Sequence, residues 1–197
     1  MKLTSFEKIV MRSLGRKLMM KHVEAPKLFN GLSKGQFKRV LELGCGAGIG
    51  TIHILRSLEP AELVATDYDE DMLPHARRFV DHNWRRPGVT FQRVDATHLP
   101  FADNEFDAVI AFGVLHHIHE YRKAVGEIAR VLKNGGAFLL EEVTREAHFW
   151  PISRLMVPAV LLEDKDVIEV LEANRFSVSW KGRYLRAFLL LDCRKLA

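Results

Sequence analysis

The feature that most constrains the fold of this 197-residue chain is a glycine loop that directly follows a short apolar run. The run covers residues 40–43, reads Val-Leu-Glu-Leu, and predicts a buried strand of a parallel sheet. Gly44, Gly46 and Gly48 follow at alternate positions, as expected where a chain turns sharply beside a ligand and has no room for a Cβ atom. Apolar spacing over residues 49–58 predicts a helix after the turn, whose first N–H groups attract polar or negatively charged ligand groups.

A second apolar run ends in an acidic residue about twenty positions further on, which is the spacing of nucleotide-binding folds. Residues 63–66 predict another buried strand, and Asp67 stands at its carboxyl end. A carboxylate at this position accepts hydrogen bonds from ribose hydroxyl groups. The glycine loop and Asp67 together therefore predict a nucleoside site.

The spacing of the glycines separates two classes of cofactor. The dinucleotide fingerprint is Gly-x-Gly-x-x-Gly. When the pattern starts at Gly44 it ends on Ile49, so this frame does not match. When it starts at Gly46 it ends on Thr51, which also fails. Glu42 stands two residues before the first glycine, where a carboxylate would repel a pyrophosphate and help to hold an ammonium group. These observations favour S-adenosylmethionine, which has an ammonium group and no phosphate.

Further motifs follow the glycine loop in a fixed order up to about residue 142. They are Asp95-Ala96 after the alternating run 89–94, the stretch Leu-Pro-Phe-Ala-Asp-Asn-Glu-Phe-Asp-Ala-Val-Ile at 99–110, Gly-Val-Leu-His-His-Ile at 113–118, and Leu-Lys-Asn-Gly-Gly-Ala-Phe-Leu-Leu at 132–140. With the glycine loop, they resemble the class I S-adenosylmethionine-dependent methyltransferases. The resemblance is closest to the small-molecule branch (methyltransferase type 11) that includes the ubiquinone and menaquinone biosynthesis enzymes.

The resemblance implies a fold and a set of cofactor contacts. The fold is α/β, a Rossmann-like doubly wound and mostly parallel seven-stranded sheet with an antiparallel edge strand and helices on both faces. The expected contacts to S-adenosylmethionine, and to the product S-adenosylhomocysteine, are Glu42, Gly44, Cys45, Gly46, Gly48, Asp67, Tyr68, Met72, Asp95, Ala96, Phe112 and Gly113.

Several of these contacts have an expected partner on the cofactor. Asp95 would bind the adenine amino group, and Ala96 would add a backbone N–H. Met72 would supply an apolar face for the adenine ring. Phe112 and Gly113 would line the methionine end. Local alternatives remain open, because Asp95 would equally cap the loop that follows it, and Glu42 would pair locally at the end of its strand.

The order of apolar runs predicts alternating strands and helices, and hence a parallel sheet. The predicted strands are residues 40–43, 62–66, 89–94, 106–112 and 136–142, and the predicted helices are residues 49–58, 70–83 and 119–132. A helix at 166–173 and closing strands at 176–180 and 187–193 complete the pattern. We expect one methyltransferase domain over residues 40–197, preceded by a separate helical segment over residues 1–39.

The segment 1–39 is strongly basic. It carries ten Lys or Arg residues against Glu7 and Glu24, a net charge of +8, whereas the whole chain carries +4. Apolar residues at helical spacing predict an amphipathic helix. Three interpretations remain: a lid over the active site, which we favour, a membrane-surface contact, and an RNA contact, which the lack of interleaved aromatic residues disfavours.

His116 and His117 are the candidates for acid–base catalysis, because imidazole titrates near neutral pH. The alternative is that His116 packs inward and His117 shapes the pocket. No cysteine or carboxylate arrangement predicts a metal site. An apolar segment at 149–162, twice interrupted by proline, lies where this family inserts substrate-binding elements.

The prediction for function is methyl transfer to a small, partly apolar acceptor. The motifs for methylation of adenine or glutamine amino groups, and the Pro-Cys motif for cytosine, are absent at 111–114, which reads Ala-Phe-Gly-Val. RNA or protein methylation, and a noncatalytic binding module, remain as alternatives. Two cysteines and no signal peptide or membrane-spanning run predict a cytoplasmic protein, with a membrane surface as its second location.

Overall fold

The computed structural model describes residues 14–84, 87–145, 160, 162–184 and 188–197. The helices are α1 (Leu14–Met19), α2 (Ala25–Leu28), α3 (Ile49–Leu58), α4 (Leu73–Asn83), α5 (Tyr121–Val131) and α6 (Asp164–Ala173). The strands are β1 (Arg39–Leu43), β2 (Glu62–Asp67), β3 (Val89–Arg93), β4 (Phe106–Phe112), β5 (Leu132–Val143), β6 (Phe176–Tyr184) and β7 (Phe188–Lys195). A π-helical turn, Met20–Glu24, joins α1 to α2, and 3-10 turns cover Glu70–Met72 and Leu115–His117.

The seven strands form one sheet in the order β3-β2-β1-β4-β5-β7-β6. Strands β1 to β5 run parallel to one another, and β7 is antiparallel to both β5 and β6. This topology confirms the predicted α/β fold with its mostly parallel sheet. The antiparallel strand is β7, which lies between β5 and the outermost strand β6.

Strand β5 starts earlier than its sequence predicts, at Leu132 instead of residue 136. The register between β4 and β5 shifts after the pair Phe106–Leu132, so an irregular stretch is accommodated within the strand. Gly135 has a φ of +75°, a conformation that glycine adopts without steric cost. The Asn-Gly-Gly sequence at 134–136 is therefore an irregularity within β5.

The sheet is covered on both faces, because its buried strands present apolar side chains to each side. On one face, β1, β4 and β5 pack against α5 and α6. On the other face, the same strands pack against α2, α3 and the π-helical turn. The two faces form the core that fixes the carboxyl ends of the parallel strands, where ligands bind in open sheets of this kind.

The described part of the basic segment is packed onto the domain. In residues 14–28, which we call the N-terminal segment, Met20, Glu24, Ala25 and Leu28 are buried. Met20 and Leu28 belong to the apolar cluster that includes α3 and β1. The predicted helical residues 1–13, and nearly all of the apolar segment 149–162, lie outside the described residues.

Candidate active site

A cavity of about 440 Å³ lies at the carboxyl ends of β1, β2 and β4. Its walls come from the loops that follow these strands and from the loop after β3. The lining residues are Leu43, Gly44, Gly46, Thr66, Asp67, Tyr68, Val94, Asp95, Ala96, Thr97, Phe112, Gly113, Val114, His117, Ile118, His119 and Glu120. The motifs that the sequence singled out therefore meet around one cavity.

The predicted site residues divide into three groups by position. Those that line the main cavity are Gly44, Gly46, Asp67, Tyr68, Asp95, Ala96, Phe112, Gly113 and His117. Glu42 and Cys45 line a smaller cavity next to the glycine loop. Gly48, Met72 and His116 line neither cavity.

The glycine loop is tightly enclosed. A Cβ atom at Gly44, whose φ is +70°, would overlap Cγ2 of Val114. Gly48, with a φ of +82°, is the N-cap of α3, and a Cβ atom there would lie 3.0 Å from the Ala76 carbonyl oxygen. Both positions require glycine for conformation and for space. Gly48 thus allows the close approach of α3 to α4.

Asp67 is held at the end of β2 by two backbone donors. Its Oδ2 accepts a hydrogen bond of 2.8 Å from Gly46 N, and its Oδ1 accepts one of 2.9 Å from Asp69 N. Burial raises the pKa of Asp67, and these two N–H groups oppose the rise. Each carboxylate oxygen has a further lone pair, so Asp67 keeps acceptor capacity toward the cavity that it lines.

Tyr68 provides the aromatic surface next to Asp67. Tyr68 lines the cavity and is 39% exposed, and the guanidinium carbon of Arg93 lies 5.6 Å from the centroid of its ring. Met72, in contrast, is 0% exposed. Of these two predicted cofactor contacts, Tyr68 therefore lines the cavity, whereas Met72 is buried and lines neither cavity.

Asp95 shapes the loop after β3 and lines the cavity. Its Oδ1 accepts hydrogen bonds from Thr97 N at 2.9 Å and from Thr97 Oγ1 at 2.8 Å. Partial burial works against ionisation, but these bonds prevail and lower the pKa of Asp95. The carboxylate therefore caps its own turn, as the local alternative predicts, and presents an ionised acceptor beside Ala96.

Glu42 is a buried carboxyl group, 1% exposed, near the glycine loop. Its Oε2 accepts a hydrogen bond of 2.6 Å from Thr51 Oγ1. Burial raises its pKa to about 8, with a smaller contribution from the charge of Asp67, while the Thr51 hydroxyl lowers it. The group has no ion pair among the described residues, so a cationic ligand would supply its first positive partner.

The two histidines occupy different environments. His116 is buried, and its Nδ1 bonds to Oε1 of Glu142. Glu142 also accepts hydrogen bonds of 2.7 Å from the backbone N–H groups of Leu115 and Val143. His117 lines the cavity, with its ring centroid 4.0 Å from that of His116. His116 therefore packs inward, and His117 is the imidazole that faces the cavity.

Several residues of the site were not predicted from the sequence. Glu142 is one, although an acidic pair at the end of a long apolar strand is an unusual signal. Gly50 is another, although the glycine repeat at positions 44, 46 and 48 continues to it at the same spacing. His119 and Glu120 also line the cavity, directly after the two histidines. Within the described part of the chain, no group of three or more His, Cys, Asp or Glu residues is arranged to hold a metal ion.

Comparison with known protein families and sequences gives consistent matches. Residues 41–140 match the model of a family described as a methyltransferase domain. The chain is 28% identical over 163 residues to a demethylmenaquinone methyltransferase of Bacteroides fragilis, covering 82% of this chain and 66% of that protein. It is 31% identical over 159 residues to a phthiotriol/phenolphthiotriol dimycocerosates methyltransferase of Mycobacterium tuberculosis, covering 77% of this chain and 57% of that protein. The chain thus spans less than two thirds of the length of these curated relatives.

Solved structures with the same fold include proteins of similar length. PH0226 of Pyrococcus horikoshii superposes with a TM-score of 0.80 at 19% identity, covering 100% of both chains. An S-adenosylmethionine-dependent methyltransferase of Mesorhizobium loti gives a TM-score of 0.71 at 17% identity, covering 87% of this chain and 96% of that one. At such identities the superpositions establish the shared fold.

Proposed function

The chain belongs to the methyltransferase family defined by that domain model, and from this premise we propose that it methylates a small, partly apolar acceptor with S-adenosylmethionine. S-Adenosylhomocysteine would be the second product. The observation that carries the proposal is a single cavity that joins the glycine loop, Asp67 and Asp95 to Gly113 and His117. One end of this cavity has the groups that suit a nucleoside, and the other end has a histidine at a glycine turn.

The residues of the main cavity, together with Glu42 in the small cavity beside the glycine loop, fit the parts of the cofactor. Asp67 has acceptor capacity for ribose hydroxyls, Tyr68 offers a ring face for adenine, and Asp95 offers an acceptor for the adenine amino group. Glu42 suits the ammonium group of the methionine part, because it is a buried acid without an ion pair in the described structure. The donor set therefore fits S-adenosylmethionine better than a phosphate-containing dinucleotide.

When bound, S-adenosylmethionine supplies a methyl carbon made electrophilic by the adjacent sulfonium. The task of the protein is to align the acceptor with that carbon and to exclude water. Gly113 brings the chain close to the cavity with a φ of +64°, and its N–H donates a 2.8 Å hydrogen bond to the carbonyl of Glu141 at the end of β5. His117 would accept the proton of an acceptor hydroxyl or activated carbon.

The acceptor class is supported by the cavity wall and by the relatives. Val114 and Ile118 give the acceptor end apolar surface, whereas His117, His119 and Glu120 give it polar groups. The matched relatives are named as methyltransferases of demethylmenaquinone and of phthiotriol/phenolphthiotriol dimycocerosates. A partly apolar molecule with one polar nucleophile fits both observations.

Calorimetric titration tests the cofactor assignment first. S-Adenosylmethionine and S-adenosylhomocysteine should each bind with one-to-one stoichiometry, and a nicotinamide dinucleotide should not bind. Binding would justify a methylation screen that begins with quinone-like, phenolic and fatty-acid acceptors. Failure of both adenosyl ligands to bind would overturn the assignment, and binding without turnover of any acceptor would favour a noncatalytic module.

Replacement of the cavity histidine should separate catalysis from binding. With an acceptor identified by the screen, His117→Ala should lower kcat by about 100-fold, the usual contribution of a general base, and leave the affinity for S-adenosylmethionine unchanged. His82→Ala, at an exposed position of α4, is the matched control. An unchanged kcat in the His117 variant would exclude a role as base and indicate transfer that depends on alignment alone.

We propose that residues 1–39 cover the cofactor end of the site. We also propose that the protein is located in the cytoplasm. Contact with an anionic membrane surface is the second candidate, favoured by the exposed Leu18 beside the exposed Lys21 and His22. None of the described helices is long and apolar enough to cross a bilayer. Binding to anionic vesicles, compared with binding to RNA at rising salt concentration, distinguishes a membrane contact from the RNA alternative.

A further inference from the structure

We propose that Met20 and Gly50 are positioning residues that hold Glu42 in a water-excluding pocket, so that the site selects ligands with an ammonium group. This inference rests on the proposed function. It adds to that function a contribution from the N-terminal segment, because Met20 precedes the matched domain, which starts at residue 41. Neither residue contacts the reacting atoms, since both act through Glu42.

The pocket is a small cavity beside the carboxyl group. It measures about 10 Å³, at the lower limit of the space that one water molecule needs. Its lining residues are Met20, Glu42, Gly44, Cys45, Ala47, Ile49, Gly50 and Phe112. Among the described residues that line it, the side chains other than Glu42 and Cys45 are apolar, and the Glu42 side chain itself is 1% exposed, so bulk water has little access to the carboxyl group.

Met20 closes this pocket from the N-terminal segment. It is 2% exposed and belongs to the same apolar cluster as Ile49 and Phe112. It is also the first residue of the π-helical turn, an irregularity that occurs often at functional sites. An unbranched thioether fills an irregular gap well, and its loss would open the pocket to water.

Gly50 leaves the space that the Glu42 carboxylate occupies. A Cβ atom at this position would lie 2.6 Å from Glu42 Oε1 and 2.9 Å from Phe112 Cδ2. Gly50 stands inside α3 and is not among the glycines with positive φ, so its backbone conformation does not require glycine. Glycine in a helix is less favourable than alanine. The close approach of Glu42 to this position explains why glycine stands here.

The charges around Glu42 favour a cationic ligand. The groups that act on it electrostatically are Asp67, which is acidic, and the Thr51 hydroxyl, which donates to Oε2. The Cys45 thiol is also nearby, and burial together with the charges of Glu42 and Asp67 keeps it protonated by raising its pKa. In such a dry environment an opposite charge interacts much more strongly than in water. A ligand ammonium would therefore gain more from Glu42 here than at an exposed site.

Two ligands separate this role from a general effect on folding. S-Adenosylhomocysteine carries the ammonium group, and 5′-methylthioadenosine has the same nucleoside without the amino-acid part. Met20→Ala should weaken binding of S-adenosylhomocysteine by about tenfold, because water enters beside Glu42. It should change binding of 5′-methylthioadenosine by less than twofold. Met20→Leu should restore most of the affinity. Leu18→Ala, at a 49% exposed position of α1, is the matched control.

Gly50→Ala provides an independent variant if Met20→Ala does not fold, because its added Cβ atom displaces the flexible end of the Glu42 side chain. It should also weaken S-adenosylhomocysteine selectively. An equal loss for both ligands, or no loss in either variant, would overturn the inference and leave the proposed function intact. If the wild-type protein bound neither ligand, the proposed function itself would fail, and this inference with it.

Discussion

Asp67→Asn should lower the affinity for S-adenosylmethionine by about 100-fold, equivalent to about 3 kcal/mol, without unfolding the protein. The carboxylate accepts from Gly46 N and Asp69 N while it lines the cavity. An amide can accept at only one of its two ends, so the variant loses one backbone bond as well as a charged acceptor for the ribose hydroxyls. Isothermal titration measures the affinity, and the thermal unfolding midpoint reports on the fold.

The matched control for this change is Asp81→Asn on α4. Asp81 is exposed, and the Asp81→Asn variant loses one negative charge, as the Asp67→Asn variant does. The Asp81→Asn variant should bind S-adenosylmethionine as tightly as the wild type does. This control separates the loss of a local contact at Asp67 from the effect of a change in net charge. If Asp67→Asn bound the cofactor as tightly as the control does, Asp67 would be removed from the ribose site.

The fold and the cofactor end of the site were largely predictable, because local sequence determines them. The glycine loop requires positive φ at Gly44 and Gly48, which few other residues adopt. Asp67 follows a continuous apolar run that can only be a buried strand. Such signals lie within a few neighbouring positions, so a single sequence contains them.

Other parts of the site depend on contacts between distant positions. Met72 follows Asp67 closely in sequence, yet the turn between them directs Tyr68 to the cavity and buries Met72. Glu142 bonds to His116 across 26 positions, and Met20 lines the same small cavity as Glu42, 22 positions further on. No periodicity or spacing links these residues, because their contact results from the packing of whole elements against the sheet.

Binding of S-adenosylmethionine should be strongest near pH 8 and weaken on both sides, by up to tenfold per pH unit. Below about pH 8, Glu42 is protonated in the ligand-free protein, so binding of the ammonium group must release a proton, and affinity rises with pH. Above this pH the amino group of the ligand loses its proton, since the pKa of an α-amino group is roughly 8. Binding must then take up a proton, and affinity falls.

The same raised pKa has a consequence for folding. Neutral Glu42 contributes stability that is fully present below its ordinary pKa of 4.5 and is lost as the pH rises through about 8 in the folded protein. A bound ammonium group opposes this loss, because it stabilises the ionised carboxylate. Stabilisation by the ligand, measured as the shift of the unfolding midpoint, should therefore be larger at pH 8 than at pH 6.5.

Calorimetric titrations in two buffers of different ionisation enthalpy measure the proton exchange directly. Wild-type protein should release close to one proton per S-adenosylmethionine bound at pH 6.5 and take up protons at pH 9. Glu42→Gln cannot ionise, so its affinity should be about tenfold lower at pH 8 and nearly constant between pH 6 and 7. Binding of 5′-methylthioadenosine, which has no amino group, provides the reference for other pH effects. A wild-type affinity that does not change between pH 6 and 8 would contradict this coupling, because a carboxyl group with a pKa of about 8 must lose its proton before it pairs with the ammonium group.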